Sequence, residues 1–385
     1  MLLAVCLLLV ARSSLPACPF CSAMTETLRE QMDNMDAVVI ARLTASDPVD
    51  PDAAAPGGKT ALTGKFTLVK ILKGEPLLQD VRTVETIFVG EPKQNIGTEC
   101  MLLGVGPTKL MWSAPTYLNQ RTRDYLLKLT SLPADESARL AFFETYLEDA
   151  EDMLARDAYE EFARAPYAVV MTLKGKIQPE KLVGWINNAY VPVSRKRLYL
   201  TLLGVCGSKA DLPFLEELMR SNDRSIRSGL DALIACYLTL AGPDGMAKIE
   251  ELFLRDPKAE YADTYAAIMA MRFHGSESDV IPHSRLRDGM RVVLDRPQLA
   301  DLVIPDLARW EDWESMPRLV KLFKEANETN SWVRVPVVKY LQACPLPEAK
   351  TRLAELEKID PEAVKRASTL FPFGGGGPPT RAQKN

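Results

Sequence analysis

The stretch "RKRLYLTLLGVCGS" (195–208), followed at once by "KADLPFLEELMRSND" (209–223), decides the fold of the larger part of the chain. An apolar run of helical length meets a small Gly-Ser turn. In the second run leucines recur at the spacing of one helical face. The same arrangement returns four times. "IRSGLDALIACYLTLAGP" precedes "DGMAKIEELFLRDPK", and "YADTYAAIMAMRFHGS" precedes "ESDVIPHSRLRDGMR". "LADLVIPDLARWEDW" precedes "ESMPRLVKLFKEANE", and "WVRVPVVKYLQACPL" precedes "PEAKTRLAELEKIDP". Comparable second-helix positions are Leu215, Ile249, Ile281, Leu319 and Leu353, spaced 34, 32, 38 and 34 residues apart. Such spacings fall in the range of helical repeat arrays, in which one helix pair cannot bury its own face but a stack can. The segment 278–297 is irregular and Arg-rich.

Upstream, the period changes. "DAVVIARLT" (36–44), "KFTLVKIL" (65–72), "VRTVETIFV" (81–89), "CMLLGVG" (100–106) and "KLMWSAPTYL" (109–118) are short, β-branched or alternating. Turn signals such as Lys73-Gly74 and Gly90-Glu91-Pro92 separate them. Five such strands predict a small barrel or sandwich. "SDPVDPDAAAPGG" (46–58) predicts a loop between the first two. Before them, "SAMTETLREQMDNM" (22–35) predicts a helix capped by Ser22, with Thr25 and Glu26 in its first turn.

Between strands and repeats, "NQRTRDYLLKLTSL" and "DESARLAFFETYLEDAEDMLARDAYEEFARAP" predict two helices. In the second, Leu140, Phe143, Leu147, Leu154 and Phe162 share a stripe, with acids opposite. The run Glu148-Asp149, Glu151-Asp152 lacks the glycine and alternating ligands of a calcium loop and predicts a solvated helix face. The expected fold class is α+β multidomain: a β-barrel or OB-like domain (18–118), a helical connector (119–179) and a helical array (180–367). A Gly/Pro-rich tail (368–385) is expected to be disordered.

The first seventeen residues, "MLLAVCLLLVARSSLPA", place about nine apolar residues (2–10) before a small residue, Ala17. Spanning a bilayer takes roughly 20, so the pattern predicts a secretory signal and an exported protein. Behind it comes Cys18-Pro19-Phe20-Cys21. Four fates are open for the pair. It can be a redox site, with the following helix lowering the Cys18 pKa, although no strand of a βαβ unit precedes it. It can be a metal or haem site, although a second ligand pair is missing and Ser22 stands where haem attachment needs His. It can be a structural staple. Or Cys18 can carry a lipid, since Leu15-Pro16-Ala17-Cys18 is close to a bacterial lipobox. Cys206, Cys236 and Cys344 sit in apolar runs and read as buried small hydrophobes.

Composition narrows function further. A net charge of −4 gives no basic footprint for nucleic acid. Two histidines, His274 and His283, starve His-based catalysis and metal binding. Gly-x-Ser-x-Gly and His-Glu-x-x-His are absent. "GVGPTKL" (104–110) lacks the Gly-Lys-Ser/Thr ending of a phosphate loop and reads as a turn, and "GGGG" (374–377) reads as linker. No catalytic residue, metal ligand or cofactor is assigned.

"LYLTLLGVCGSKADLPFLEELM" and "VPVVKYLQACPLPEAKTRLAEL" resemble HEAT-type repeats. That resemblance implies an interaction surface and no chemistry. Cys18 or Cys21, Asp36-Ala37-Val38-Val39, Lys70-Ile71-Leu72-Lys73-Gly74 and Cys100 are similar to the netrin-like (tissue-inhibitor-of-metalloproteinase-like) module, an OB-type barrel. The module implies a bridge from Cys18 or Cys21 to Cys100, closing a loop worth about 4 kcal/mol in the chain-entropy model. This chain departs from it in carrying Cys-x-x-Cys where the inhibitors carry Cys-x-Cys. The whole chain also resembles exported bacterial proteins that begin with "CPFC" and end in helical repeats. Together these imply an exported, non-enzymatic protein that binds a protein or peptide, touching a membrane only through a lipid on Cys18. Contact residues are sought among Trp185, Trp310, Trp313 and Trp332, because aromatics dominate binding hot spots. The alternatives are a metalloprotease inhibitor chelating zinc through a terminal Cys18, and a thiol oxidoreductase using Cys18 and Cys21.

Overall fold

A computed structural model describes residues 20–21, 25–50, 60–91, 93–107, 109–223, 227 and 229–369. The expected signal, Cys18, the Ser22 cap and the tail from 370 onward lie outside the described residues. The fold is α+β, with an antiparallel sheet of six strands followed by helices. The chain forms two compact units, Met1–Leu173 and Lys174–Asn385. The helices that follow the sheet up to Leu173 therefore belong to the same unit as the strands.

In the first unit the strands are β1 (Ala37–Pro48), β2 (Thr60–Lys73), β3 (Thr83–Gly90), β4 (Glu99–Val105), β5 (Met111–Trp112) and β6 (Thr116–Tyr117). Their order is β3-β2-β1-β4-β5, all antiparallel, with β6 also on β4. Alternation places Leu62, Gly64 and Phe66 of β2 inward and Ala61, Thr63 and Lys65 outward. β1 is central and is buried on both faces from Ala37 to Ala41, which accounts for its unbroken apolar text. One core gathers Val39, Leu43, Leu62, Phe66, Phe88 and Leu102. β1 continues past Thr44 because Ser46, Asp47 and Pro48 pair with Gly64, Thr63 and Leu62, so the expected loop begins later. The last expected strand divides into β5 and β6. Pro115 lies between them and has no N–H to give a ladder.

Helix α1 (Leu28–Asn34) is capped by Thr27, not by Ser22. Thr27 Oγ1 accepts from the Glu30 amide at 3.1 Å, and Glu30 accepts from the Thr27 amide at 2.9 Å, a capping box written in the text as Thr-x-x-Glu. At its other end Lys73 Nζ donates to the carbonyls of Met32 (3.2 Å) and Asp33 (2.6 Å). Helices α2 (Gln120–Leu129), α3 (Glu136–Glu144), α4 (Asp152–Arg164) and α5 (Tyr167–Val170) follow. The single helix expected over 135–166 is thus two, interrupted at Thr145–Glu151. All five residues of its apolar stripe are buried. Asp152 of the acidic run opens α4 and is exposed, while Glu148, Asp149 and Glu151 fall in the interruption. There Asp149 pairs with Arg121, and Glu151 accepts from Asn119 Nδ2 at 2.7 Å.

The second unit contains α6 (Pro179–Asn187), α7 (Val193–Cys206), α8 (Leu212–Arg220), α9 (Leu230–Ala241) and α10 (Met246–Ile249), which runs on as a π-turn over Glu250–Leu254. Then come α11 (Tyr261–Ser276), α12 (His283–Val293), α13 (Ile304–Arg309), α14 (Met316–Glu325), α15 (Arg334–Ala343), α16 (Pro347–Glu357) and α17 (Pro361–Thr369). First helices pack on first helices: α7 on α9, α9 on α11, and α13 on α15. Leu215, Ile249 and Leu319 are buried at their repeat positions. Ile281 is buried too, but in the loop before Pro282 rather than on a helix, and Leu353 is half-buried. The Arg-rich 278–297 segment forms α12, and its arginines reach neighbours: Arg285 to Glu250, Arg291 to Asp312, and Arg296 to Thr264.

Candidate functional site

Cys100 lies on β4, fully buried in the sheet core, with a free thiol whose Sγ donates to the Ala41 carbonyl at 3.4 Å. The bridge from Cys18 or Cys21 to Cys100 is therefore not formed. Burial pushes the Cys100 pKa up to about 12, so it is no nucleophile near neutrality. Cys236 and Cys344 are buried as expected, whereas Cys206 ends α7 half-buried. Cys21 is half-buried beside buried Phe20.

The four tryptophans are not brought together. Trp185 packs on Tyr199 with ring centroids 4.8 Å apart, and Lys181 lies over its ring. Trp310 meets His283 edge-on at 5.7 Å, and Trp313 meets Tyr340 at 5.2 Å. These three are half-buried between helices, while Trp332 is exposed. His274 is fully buried, its Nε2 paired with the Ala235 carbonyl at 3.2 Å, and burial pulls its pKa down to about 4. It is neutral at physiological pH.

The densest polar construction lies where α1, the helix behind Cys21, meets α4. Asp157, Glu160 and Glu161 of α4 are all buried. Asp157 accepts from the Leu28 amide at 2.6 Å and from the Tyr125 hydroxyl at 2.6 Å. Glu160 accepts from the Thr25 amide at 3.2 Å and from Arg164 at 2.7 Å. Glu161 takes both ends of the Arg29 guanidinium, at 3.2 and 3.0 Å. Arg164 closes the ring with 3.0 Å to Glu30 and 2.5 Å to the Thr25 carbonyl. Three carboxylates thus meet the Leu28 amide and Arg29 in the first turn of one short helix and the Thr25 amide just ahead of it.

Comparison with family models, with curated proteins and with solved structures finds no match.

Burial raises the Asp157 pKa to about 6, against the pull of the Tyr125 hydroxyl and the Leu28 amide. The same burial, reinforced by Asp157, pushes the Tyr125 phenol up. Arg29 is pushed up by its bond to Glu161. What this arrangement does chemically is hold α1 in place by charge-assisted hydrogen bonds. The sequence carried a signal for it: 157, 160, 161 and 164 form a polar stripe at helical spacing, beside the apolar one at 154, 158 and 162. Among the described residues no group of three or more His, Cys, Asp or Glu is placed to hold a metal ion, and no helix is long and apolar enough to cross a membrane.

Proposed function

We propose that the chain is an exported, non-enzymatic interaction protein. In this reading the second unit is a HEAT-like array presenting a surface to a protein or peptide, and the sheet is a netrin-like OB barrel at its front. The observation that carries it is a ladder of ion pairs between successive helix pairs. Arg197 bonds Asp231 at 3.0 Å, Arg227 bonds Asp263, and Arg272 grips Asp306 with three bonds of 2.8 to 3.1 Å. The pairs span 34, 36 and 34 residues, each about the length of one repeat. Ion pairs that each span about one repeat support stacking of neighbouring units, the construction that leaves an extended surface for a partner. Exposed aromatics on that unit, Tyr261, Tyr265 and Trp332, supply rigid contact area.

The Cys-x-x-Cys belongs to this reading as a local staple ahead of α1. Cys100, Cys206, Cys236 and Cys344 form no disulfide, so the mate of Cys21 is sought within its own motif. The test is crosslinking in an envelope fraction, comparing the natural chain with a Tyr261→Ala, Trp332→Ala variant. Recovery of one protein that the variant loses supports the reading. Equal recovery by both, or none above background, removes it. Intact mass before and after reduction reports the cleavage site, any acyl chain and the staple together.

A further inference from the structure

Nine asparagines occur in the sequence, and one of them alone is followed by a residue other than proline and then by Ser or Thr. It is Asn327, in Asn327-Glu328-Thr329. That spacing is the acceptor signature for N-linked glycan in exported proteins. The chemistry asks for an outward-facing amide: it has to reach an enzyme, and the folded chain has to leave room for a bulky sugar.

The structure turns all three residues outward. They lie in the connection between α14 and α15, where Asn327, Glu328 and Thr329 are exposed while Ala326 and Asn330 on either side are buried. The turn is held from beneath. Asn330 Oδ1 accepts from the Asn327 amide at 2.8 Å, and Arg334 donates to the Ala326 carbonyl at 2.9 Å. Its outer side is built by the signature itself. Asn327 Oδ1 accepts from the Thr329 amide at 2.9 Å and from the Thr329 hydroxyl at 2.7 Å. Both donors sit on the carboxamide oxygen, and Nδ2 makes no hydrogen bond among the described residues. Donation to Oδ1 stabilises the negative charge that gathers there as Nδ2 gives up a proton. Glu325, two places ahead and 63% exposed, adds a carboxylate that a basic transferase groove can grip.

We propose that Asn327 is a glycan acceptor, modified by transfer from a polyprenyl-diphosphate-linked sugar. Nδ2 attacks the anomeric carbon of the carried sugar. The bond from Nδ2 to that carbon forms as its bond to the diphosphate oxygen breaks. The electron pair leaves with the diphosphate, and one Nδ2 proton passes to a base of the transferase. Modification in the cell requires export, the reading proposed above, because the carrier presents its sugar on the exported side of a membrane.

The test is a tryptic map of the full chain recovered from the envelope fraction of its own cells. Cleavage after Lys324 and Arg334 isolates the peptide Glu325–Arg334. That peptide should carry sugar mass, and fragmentation should place the mass on Asn327. Thr329→Ser should keep the sugar, whereas Thr329→Ala and Asn327→Gln should lose all of it. A bare peptide in chains that have lost residues 1–17, or sugar on Thr329 instead of Asn327, overturns the site and leaves export standing. Chains that keep residues 1–17 and carry no sugar count against export instead. For that case the purified full chain is given an oligosaccharyltransferase and a polyprenyl-diphosphate glycan. Transfer to Asn327 then upholds the acceptor, and no transfer overturns it.

Discussion

Asp157 on α4 reaches back 129 residues to the Leu28 amide, whereas Arg272 on α11 reaches forward 34 residues to Asp306. Both bonds bury a carboxylate, but they do different things to the chain. In the first unit the buried acids close a long loop, and β1 also pairs with β4, from Ala37 with Gly104 to Arg42 with Glu99. In the second unit the pairs join neighbours, each reaching about one repeat along the chain. The first arrangement makes the unit hold together as a whole, because loop-closure entropy is met before the distant contacts form. The second lets stability accumulate pair by pair.

The sharpest way to break this contrast is to remove one rung. Asp306 is fully buried and also accepts from Arg309 at 2.9 Å. Asp306→Ala leaves partly exposed Arg272 with only the Leu302 carbonyl of its partners on this side and should cost about 3 kcal/mol, the low end for breaking a buried pair. Urea unfolding should show that loss in the second unit, and hydrogen exchange should show it concentrated in α11 to α14. Loss spread evenly over both units would erase the contrast.

A pH experiment probes the first unit. The folded Asp157 pKa, about 6, lies above its ordinary value of 3.8. Its contribution is therefore fully present below that ordinary value and is lost as pH rises through 6. Between pH 4 and pH 7 the natural chain should lose about 2 kcal/mol relative to Asp157→Asn, given 1.36 kcal/mol per pKa unit. Parallel stability curves for the two proteins would show that Asp157 titrates normally.

Much of the fold was legible as period. β2 and β3 were visible as alternation, and the five helix pairs as recurring apolar runs. What escaped was set by contacts far along the chain. β1 runs to Pro48 because Leu62 pairs with it, and a Pro/Asp-rich text cannot announce that. Ser22 is as good a cap as Thr27 by residue type, yet Thr27 alone has Glu30 three places on. Nothing near Asp157, Glu160 and Glu161 in the sequence singles them out, because the amides and Arg29 that meet them lie more than a hundred residues away. Cys100 looked like half of a bridge, and its place in the interior of the sheet is a property of β4, invisible in its spacing from Cys21.

Smaller effects sharpen the contrast further. Thr27→Ala removes one half of the capping box and should cost about 1 kcal/mol. Amide exchange should speed up in α1 while the second unit stays unchanged. Smallest of all is the exposed pair Lys321 and Glu325, 3.8 Å apart on α14. Lys321→Ala should shift stability by about 0.5 kcal/mol or less and should lose even that in high salt. A larger effect would mean that surface charge, as well as the buried ladder, sets the strength of the second unit.

Lys73 has a mechanical consequence. It ties the far end of α1 to β2, while Asp157, Glu160 and Glu161 tie the near end to α4. Tension applied at Thr25 enters the unit through this one short helix. The load falls first on the amide and arginine bonds at its start, then on the lysine at its end, and only afterwards on the strands.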